Sequence, residues 1–145
     1  MRRAIVLMLD SLGIGASADA SRFGDTGADT FGHIAERCAD GAIDIDGRVR
    51  GALEIPQLCT LGLAHAAAES CGAWPTGLPR VNPQGAWGYA VQMSAGKDTP
   101  SGHWEMAGVP VLTDWGYFAD TAPCFPVELT KALISRAQLT GLLGN

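Results

Sequence analysis

Two apolar runs in this chain have the pattern of buried β-strands. Residues 4–9 (AIVLML) are continuously apolar with β-branched members, and residues 86–93 (AWGYAVQM) resume a strand-like pattern later in the chain. A continuous apolar run of this length is typical of a strand covered on both faces of a parallel sheet. Helical patterns separate the two runs, so the sequence predicts an α/β fold with a mostly parallel sheet.

Three helices are predicted from start signals and apolar spacing. The first begins at an N-cap in Asp29-Thr30 and ends near Cys38, the second opens at Pro56, and the third begins in residues 125–129. Gly62 interrupts the second pattern, because glycine is a poor helix former. The apolar positions at helical spacing include Phe31, Ile34, Ala35 and Cys38 in the first helix and Leu129, Leu133, Ile134 and Ala137 in the third. Prolines and glycines make residues 72–84 a loop, and Asp46-Gly47 is a turn signal.

The composition excludes several classes of protein. The chain has 145 residues, enough for one domain with a real core, and it is 47% hydrophobic and only 17% charged. Its net charge of −5, without a Lys/Arg cluster, argues against general nucleic-acid binding. The run 4–9 is too short for the apolar region of a signal peptide, and no stretch reaches the roughly 18 apolar residues of a membrane span. We therefore expect a soluble, cytoplasmic protein.

Four cysteines, at positions 38, 59, 71 and 124, are far apart and form no Cys-x-x-Cys pair. In a chain without an export signal, this spacing predicts free, buried thiols in place of disulfides or a zinc site.

Asp10 follows the first predicted strand and opens a glycine-bearing segment. Because chemistry gathers at the carboxyl ends of strands in open α/β sheets, a carboxylate here is well placed to hold Mn²⁺, Mg²⁺ or Zn²⁺. An aspartate that caps the next turn is an equally good interpretation of this position alone.

The stretch 96–106 (GKDTPSGHWEM) follows the second predicted strand and carries the densest set of reactive groups. Pro100 suits the first turn of a helix, which would place Thr99 at or next to the N-cap and Ser101 in the first turn. A hydroxyl there lies beside unpaired N–H groups and the positive end of the helix dipole, where a phosphoryl group binds well. An ordinary strand–loop–helix connection is the competing interpretation of this loop.

Two familiar motifs do not fit this stretch. A Walker A loop ending in Gly-Lys at 96–97 needs glycine at position 91 and Ser or Thr at position 98, where the chain has Val91 and Asp98. A zinc helix of the His-Glu-x-x-His type needs a second histidine one turn after His103, where the chain has Ala107.

Several segments together resemble phosphopentomutases of the alkaline phosphatase superfamily. They are 3–16 (RAIVLMLDSLGIGA), 23–30 (FGDTGADT), 55–58 (IPQL), 96–105 (GKDTPSGHWE) and 108–111 (GVPV), with Phe125-Pro126 and 141–145 (GLLGN) near the end. The stretch 96–105 is the most specific of these, and the likeness runs nearly from end to end.

The resemblance implies an isomerase that interconverts ribose 1-phosphate and ribose 5-phosphate, and the deoxyribose pair, with two Mn²⁺ ions. It implies that Thr99 carries the phosphoryl group as a phosphothreonine, and that Asp10 and, through its oxygen, Thr99 ligate metal. A threonine hydroxyl needs a metal or a base to become a nucleophile, and a metal pair can clamp an in-line transfer, so the two implied roles are chemically consistent. Lys97 could add positive charge near the transferred group, although a solvated lysine is the ordinary interpretation.

The family's remaining metal ligands lie downstream of any segment matched here. We therefore expect the chain to be an N-terminal fragment, with residues 1–111 as part of the catalytic core and 112–145 as the beginning of an inserted α/β cap domain. Such a chain should be inactive alone and should expose apolar surface that a missing C-terminal half would cover. The alternatives are a non-catalytic remnant or binding fragment, or another metal-dependent phosphatase or mutase of the superfamily.

Overall fold

Five α-helices and one 3₁₀ helix are the regular elements of the part of the chain that the computed structural model describes, residues 3–44, 51–96 and 98–145. The 3₁₀ helix spans Ala20–Phe23, and the α-helices are α1 (Thr30–Ala39), α2 (Pro56–Leu61), α3 (Leu63–Cys71), α4 (Thr99–Met106) and α5 (Val127–Ala137). The chain divides into two compact units, Met1–Gln92 and Met93–Asn145. Helices α1 to α3 belong to the first unit, and α4 and α5 belong to the second.

The predicted parallel sheet does not appear among the described residues, which contain no β-strand. Both expected strands, residues 4–9 and 86–93, have no regular secondary structure. Ile5, Val6 and Leu7 are 82%, 83% and 87% exposed, so the first run is not buried either. A strand is stabilised by hydrogen bonds to a neighbouring strand, and neither run forms such a ladder within the described ranges.

Helix α1 confirms the first predicted helix, from its N-cap to its buried face. Asp29 caps it by accepting a hydrogen bond from the Gly32 N–H, and Phe31, Ala35 and Cys38 are buried. Ile34, on the same apolar pattern, is 43% exposed. The core of the first unit joins α1 to α2, α3 and the following loop through Phe31, Cys59, Ala64, Ala67 and Leu78. This core is built largely from small side chains.

Gly62 divides the second predicted helix into α2 and α3. It has a φ of 107°, a left-handed conformation in which glycine avoids the steric cost that a side chain would bring. A Cβ at this position would also lie 2.6 Å from the Cβ of Trp87. The helical pattern from Pro56 is therefore real, but it bends at the glycine where Trp87 packs.

The second unit holds the predicted third helix as α5, with little covering it. None of the residues of α5 is buried, and Leu129 and Leu133 of its apolar face are each 48% exposed. This exposure agrees with the expectation of uncovered apolar surface. The predicted boundary between residues 111 and 112 concerns a longer protein and stays a prediction.

Other sequence predictions have mixed outcomes. Residues 72–84 contain no helix or strand, as predicted. All four cysteines are free thiols, but only Cys38 and Cys59 are buried, while Cys71 is exposed and Cys124 is partly buried. The predicted turn at Asp46-Gly47 lies outside the described residues. Within the described ranges, no helix combines the length and apolar character needed to cross a bilayer.

Candidate functional site

Asp10 lies in the first unit, in a tight turn directly after the run 4–9. The Leu12 N–H donates to the Leu9 carbonyl at 3.3 Å, and Asp10 Oδ1 accepts from the Ser11 N–H at 3.0 Å. Ser11 has a φ of 62°, which non-glycine residues adopt uncommonly. This is a local side chain–backbone hydrogen bond to the next residue, of the kind that aspartates form in turns. The carboxylate is nevertheless exposed, so it stays accessible to a ligand.

Asp29 fixes the segment that follows this turn. Its Oδ1 accepts from the Gly15 N–H at 3.0 Å as well as from the Gly32 N–H at 3.1 Å. The Ser70 hydroxyl donates to the Ile14 carbonyl at 2.6 Å, which ties the same segment to α3. Gly15 has a φ of 85°, and a Cβ there would lie 3.0 Å from the Ser70 Oγ. Sequence reasoning identified Asp29 only as a helix cap, because no local pattern marks a contact across 14 residues.

Cys71 is the thiol closest to this network. Its Sγ donates to Asp29 Oδ2 at 3.5 Å. Although the residue is exposed, partial burial of its sulfur raises the pKa of Cys71, and the charge of Asp29 and the hydrogen bond to it raise that pKa further. A thiol held in its neutral form is a poor nucleophile, so Cys71 acts here as a hydrogen-bond donor.

Thr99 lies in the second unit, at the first residue of α4, where the sequence placed it. Asp98 is the N-cap, and Pro100 occupies the first turn as predicted. The Thr99 side chain is exposed, and its hydroxyl forms no hydrogen bond with any described residue. Its carbonyl oxygen lies 2.9 Å from His103 Nδ1, which donates when that nitrogen carries the proton. The histidine of this stretch therefore contacts the helix backbone and not the threonine hydroxyl.

Ser101 connects the start of α4 to a residue that sequence reasoning did not identify, Trp115. The serine is fully buried, its N–H donates to Asp98 Oδ1 at 2.8 Å, and its hydroxyl donates to Asp98 Oδ2 at 2.8 Å. The same hydroxyl oxygen accepts from the Trp115 indole N–H at 2.9 Å. A Cβ at Gly96 would lie 2.8 Å from Trp115 Cδ1 and 2.9 Å from Asp98 Oδ2. A side chain at position 96 would therefore clash with the Trp115 ring and the Asp98 carboxylate.

Glu105 fastens the other end of α4 to the segment that precedes it. Its two carboxylate oxygens accept from the N–H groups of Met93, at 2.6 Å, and Ser94, at 2.7 Å. Hydrogen bonding from the Ser94 side chain, and then from these backbone groups, lowers the pKa of Glu105. The Ser94 hydroxyl in turn accepts from the Val111 N–H at 3.0 Å. Glu105 therefore has a structural role: it holds the segment that precedes α4 against the helix.

The described residues do not by themselves form a metal centre. No three His, Cys, Asp or Glu side chains in the described part of the chain converge closely enough to hold an ion. Asp10 lies in the first unit and Thr99 in the second. The described residues therefore supply too few converging ligands to form, by themselves, the two-manganese site implied by the resemblance. Lys97 lies outside the described residues.

The amino-acid sequence of the whole chain is similar to about a third of the sequence of proteins that share one name. It is 62% identical over 146 residues to a protein named phosphopentomutase from Tolumonas auensis, and 59% identical over 146 residues to proteins of the same name from Shewanella sp. (strain W3-18-1) and Shewanella baltica. Each alignment covers 100% of this chain but only 35% or 36% of the relative. The chain thus spans about a third of the length of these curated relatives. No protein-family model and no solved structure matches the chain.

Proposed function

This chain is homologous over its whole length to phosphopentomutases, and we propose that it forms part of such an enzyme. The reaction is the interconversion of ribose 1-phosphate with ribose 5-phosphate, and of the corresponding deoxyribose phosphates. The small-molecule partners are therefore sugar phosphates, and the enzyme is an isomerase that moves a phosphoryl group within one sugar. The identity of 62% across the chain carries this proposal.

Thr99 is the proposed phosphoryl acceptor. Its hydroxyl is exposed at the N-terminus of α4 and forms no hydrogen bond with any described residue, so it is accessible to a substrate phosphate. The positive end of the helix dipole favours the negative charge of a phosphoryl group at this place. As phosphothreonine, Thr99 would give its phosphoryl group to one hydroxyl of the sugar phosphate and take back the group from the other position.

Asp10 is the proposed metal ligand from this chain. Its carboxylate is exposed, and carboxylate oxygens suit Mn²⁺. No metal-holding cluster exists among the described residues, so we propose that other ligands come from the part of the relatives that this chain does not span. In a complete enzyme, metal ions would supply Lewis-acid stabilisation of the transferred phosphoryl group.

The exposed run 4–9 supports a further part of the proposal, which concerns the fold of the complete enzyme. Ile5, Val6 and Leu7 are more than four-fifths exposed, although their sequence is that of a buried strand. We propose that residues 4–9 and 86–93 become strands of a parallel sheet when additional strands from the same enzyme pair with them, and that a cap domain begins at residue 112.

A second candidate is a non-catalytic remnant of such an enzyme. The lack of a metal cluster among the described residues favours it, because a two-metal site needs several converging ligands. We expect the 145-residue chain alone to have no mutase activity and weak affinity for Mn²⁺. Activity of the chain by itself, at a level that Thr99→Ala removes, would contradict this account of an incomplete site.

The experiment restores a complete enzyme by replacing the matching third of the Tolumonas auensis phosphopentomutase with this chain. The chimera is assayed for formation of ribose 5-phosphate from ribose 1-phosphate, and phosphate is mapped by mass spectrometry after incubation with a sugar bisphosphate. We expect phosphate on Thr99, loss of activity in Thr99→Ala, and weaker Mn²⁺ binding with lower turnover in Asp10→Asn. Thr140→Ala, at another exposed threonine, is the matched control and should keep full activity.

Three results would change the proposal. Phosphate on Ser101 with Thr99 unmodified would overturn the choice of acceptor. Unchanged Mn²⁺ affinity in Asp10→Asn would assign that residue to turn capping. Release of inorganic phosphate without isomerisation would favour another phosphatase of the superfamily, and an inactive chimera would favour the remnant.

A further inference from the structure

A buried serine hydroxyl lies at the centre of a hydrogen-bond chain beside Thr99. The Trp115 indole N–H donates to the Ser101 Oγ at 2.9 Å, and the Ser101 hydroxyl donates to Asp98 Oδ2 at 2.8 Å. Ser101 itself is fully buried, so water does not reach its hydroxyl. Hydrogen bonds in such a chain polarise one another, and the one that ends on a carboxylate is charge-assisted.

These hydrogen bonds hold the carboxylate of Asp98, the negative charge nearest to Thr99 in sequence. Both oxygens of Asp98 contact Ser101, one through the backbone N–H and the other through the hydroxyl. The carboxylate is therefore directed onto the first turn of α4. A carboxylate released from this position would be free to approach a phosphoryl group on Thr99, and the two like charges would repel each other.

Trp115 can reach Ser101 because Gly96, which has no side chain, leaves space for the indole ring. A Cβ at Gly96 would lie 3.3 Å from the indole nitrogen and 2.8 Å from Cδ1 of the same ring. The tryptophan lies 14 residues after Ser101 and in the same compact unit. Trp115 is 45% exposed, so its burial adds little to the core. Its indole N–H is directed onto α4 through the hydrogen bond to Ser101.

We propose that Trp115 is a positioning residue for phosphoryl transfer to Thr99. Acting through Ser101, it holds the Asp98 carboxylate on the helix cap and leaves the Thr99 hydroxyl as the group presented at the N-terminus of α4. The inference rests on the proposed role of Thr99 as the phosphoryl acceptor and extends it to a residue with no contact to the reacting atoms.

The test uses the chimeric enzyme and the substitution Trp115→Phe, which keeps an aromatic ring and removes the indole N–H. Single-turnover phosphorylation of Thr99 from a sugar bisphosphate is followed by rapid quench and mass spectrometry. We expect the rate constant to fall about 5-fold, the effect of losing one net hydrogen bond. The KM for ribose 1-phosphate should stay within about twofold, because the change affects the transfer step and not substrate binding. Ser101→Ala, which removes both bonds of the hydroxyl, should lower the rate constant by about 10-fold or more.

The control is Trp104→Phe, at an exposed tryptophan on α4 itself. It should leave the rate constant unchanged. A merely structural role for Trp115 would reduce the fraction of folded enzyme, which lowers the amplitude of the phosphorylation phase and leaves its rate constant unchanged. That result, or equal rate constants in Trp115→Phe and Trp104→Phe, would overturn the inference.

An activity-independent measurement separates this inference from the proposed function. In ¹⁵N-tryptophan-labelled chimera, Ser101→Ala should shift the indole N–H resonance of Trp115 and leave that of Trp104 in place. An unshifted Trp115 resonance would overturn the hydrogen-bond chain itself. If Thr99→Ala keeps full activity while the resonance shifts, the proposed acceptor is wrong and the positioning role falls with it, but the hydrogen-bond chain stands.

Discussion

Replacing Asp29 should destabilise the first unit more than an ordinary helix-cap substitution. The carboxylate caps α1 through the Gly32 N–H and also holds the Gly15 N–H, both on Oδ1. Loss of the cap costs about 1 kcal/mol, and loss of a hydrogen bond to a charged group costs about 1.5 kcal/mol or more. Asp29→Ala should therefore lower the free energy of unfolding by about 2.5 kcal/mol, a large share of the roughly 5–15 kcal/mol of a typical domain.

Urea unfolding followed by far-UV circular dichroism measures this change. With a slope of about 2 kcal/mol per M, a loss of about 2.5 kcal/mol lowers the midpoint by about 1.2 M. Asp29→Asn keeps one acceptor oxygen for the Gly15 and Gly32 N–H groups and should cost less than half as much. Asp40→Asn, at the opposite end of α1, is the matched control and should leave the midpoint nearly unchanged.

Cys71 supplies a second readout of the same substitution. Partial burial of its sulfur is the first cause of its raised pKa, and Asp29 raises the pKa further through its charge and a hydrogen bond. Asp29→Ala and Asp29→Asn should both lower the pKa of Cys71 partway, so alkylation at pH 8 should become faster at this cysteine. Midpoints equal to that of Asp40→Asn, together with unchanged alkylation of Cys71, would refute this account of Asp29.

Two further predictions concern acid stability and association. Hydrogen bonds lower the pKa of Glu105 in the folded chain, so its contribution to stability is complete above the ordinary glutamate pKa and is lost as pH falls through the lower folded value. Between pH 7 and pH 3, the melting temperature of Glu105→Gln should therefore fall less steeply than that of the unsubstituted chain. Parallel curves of melting temperature against pH for the two proteins would refute this. Substituting the exposed Val6 and Leu7 by serine should reduce self-association of the 145-residue chain in sedimentation, more than Leu143→Ser does. In the chimera, the same two serine substitutions should lower the yield of folded protein. A yield equal to that of the unsubstituted chimera would contradict burial of residues 4–9 as a strand.

Local signals in the sequence located the starts of α1, α2, α4 and α5, but not the 3₁₀ helix or the separate start of α3. Asp29 and Pro56 mark helix starts: α1 begins directly after Asp29, and α2 begins at Pro56. Pro100 predicted that Thr99 lies at or next to the N-cap of a helix, and Thr99 directly follows the N-cap residue of α4. These predictions succeeded because capping and the fixed φ of proline act within one turn of the chain. The stretch 96–105 likewise carried the resemblance to phosphopentomutases, which the comparisons confirm.

Contacts between distant residues were decided by the tertiary structure alone. Asp29 reaches Cys71 across 42 residues, and Trp115 reaches Ser101 across 14, and nothing in the local spacing of either pair signals the contact. The run 4–9 also shows that a local pattern does not determine tertiary contacts. Its composition is that of a buried strand, but the described chain offers no neighbouring strand to accept its backbone hydrogen bonds or cover its side chains. Apolar pattern sets what a segment can become, whereas a strand exists only where a second backbone pairs with it.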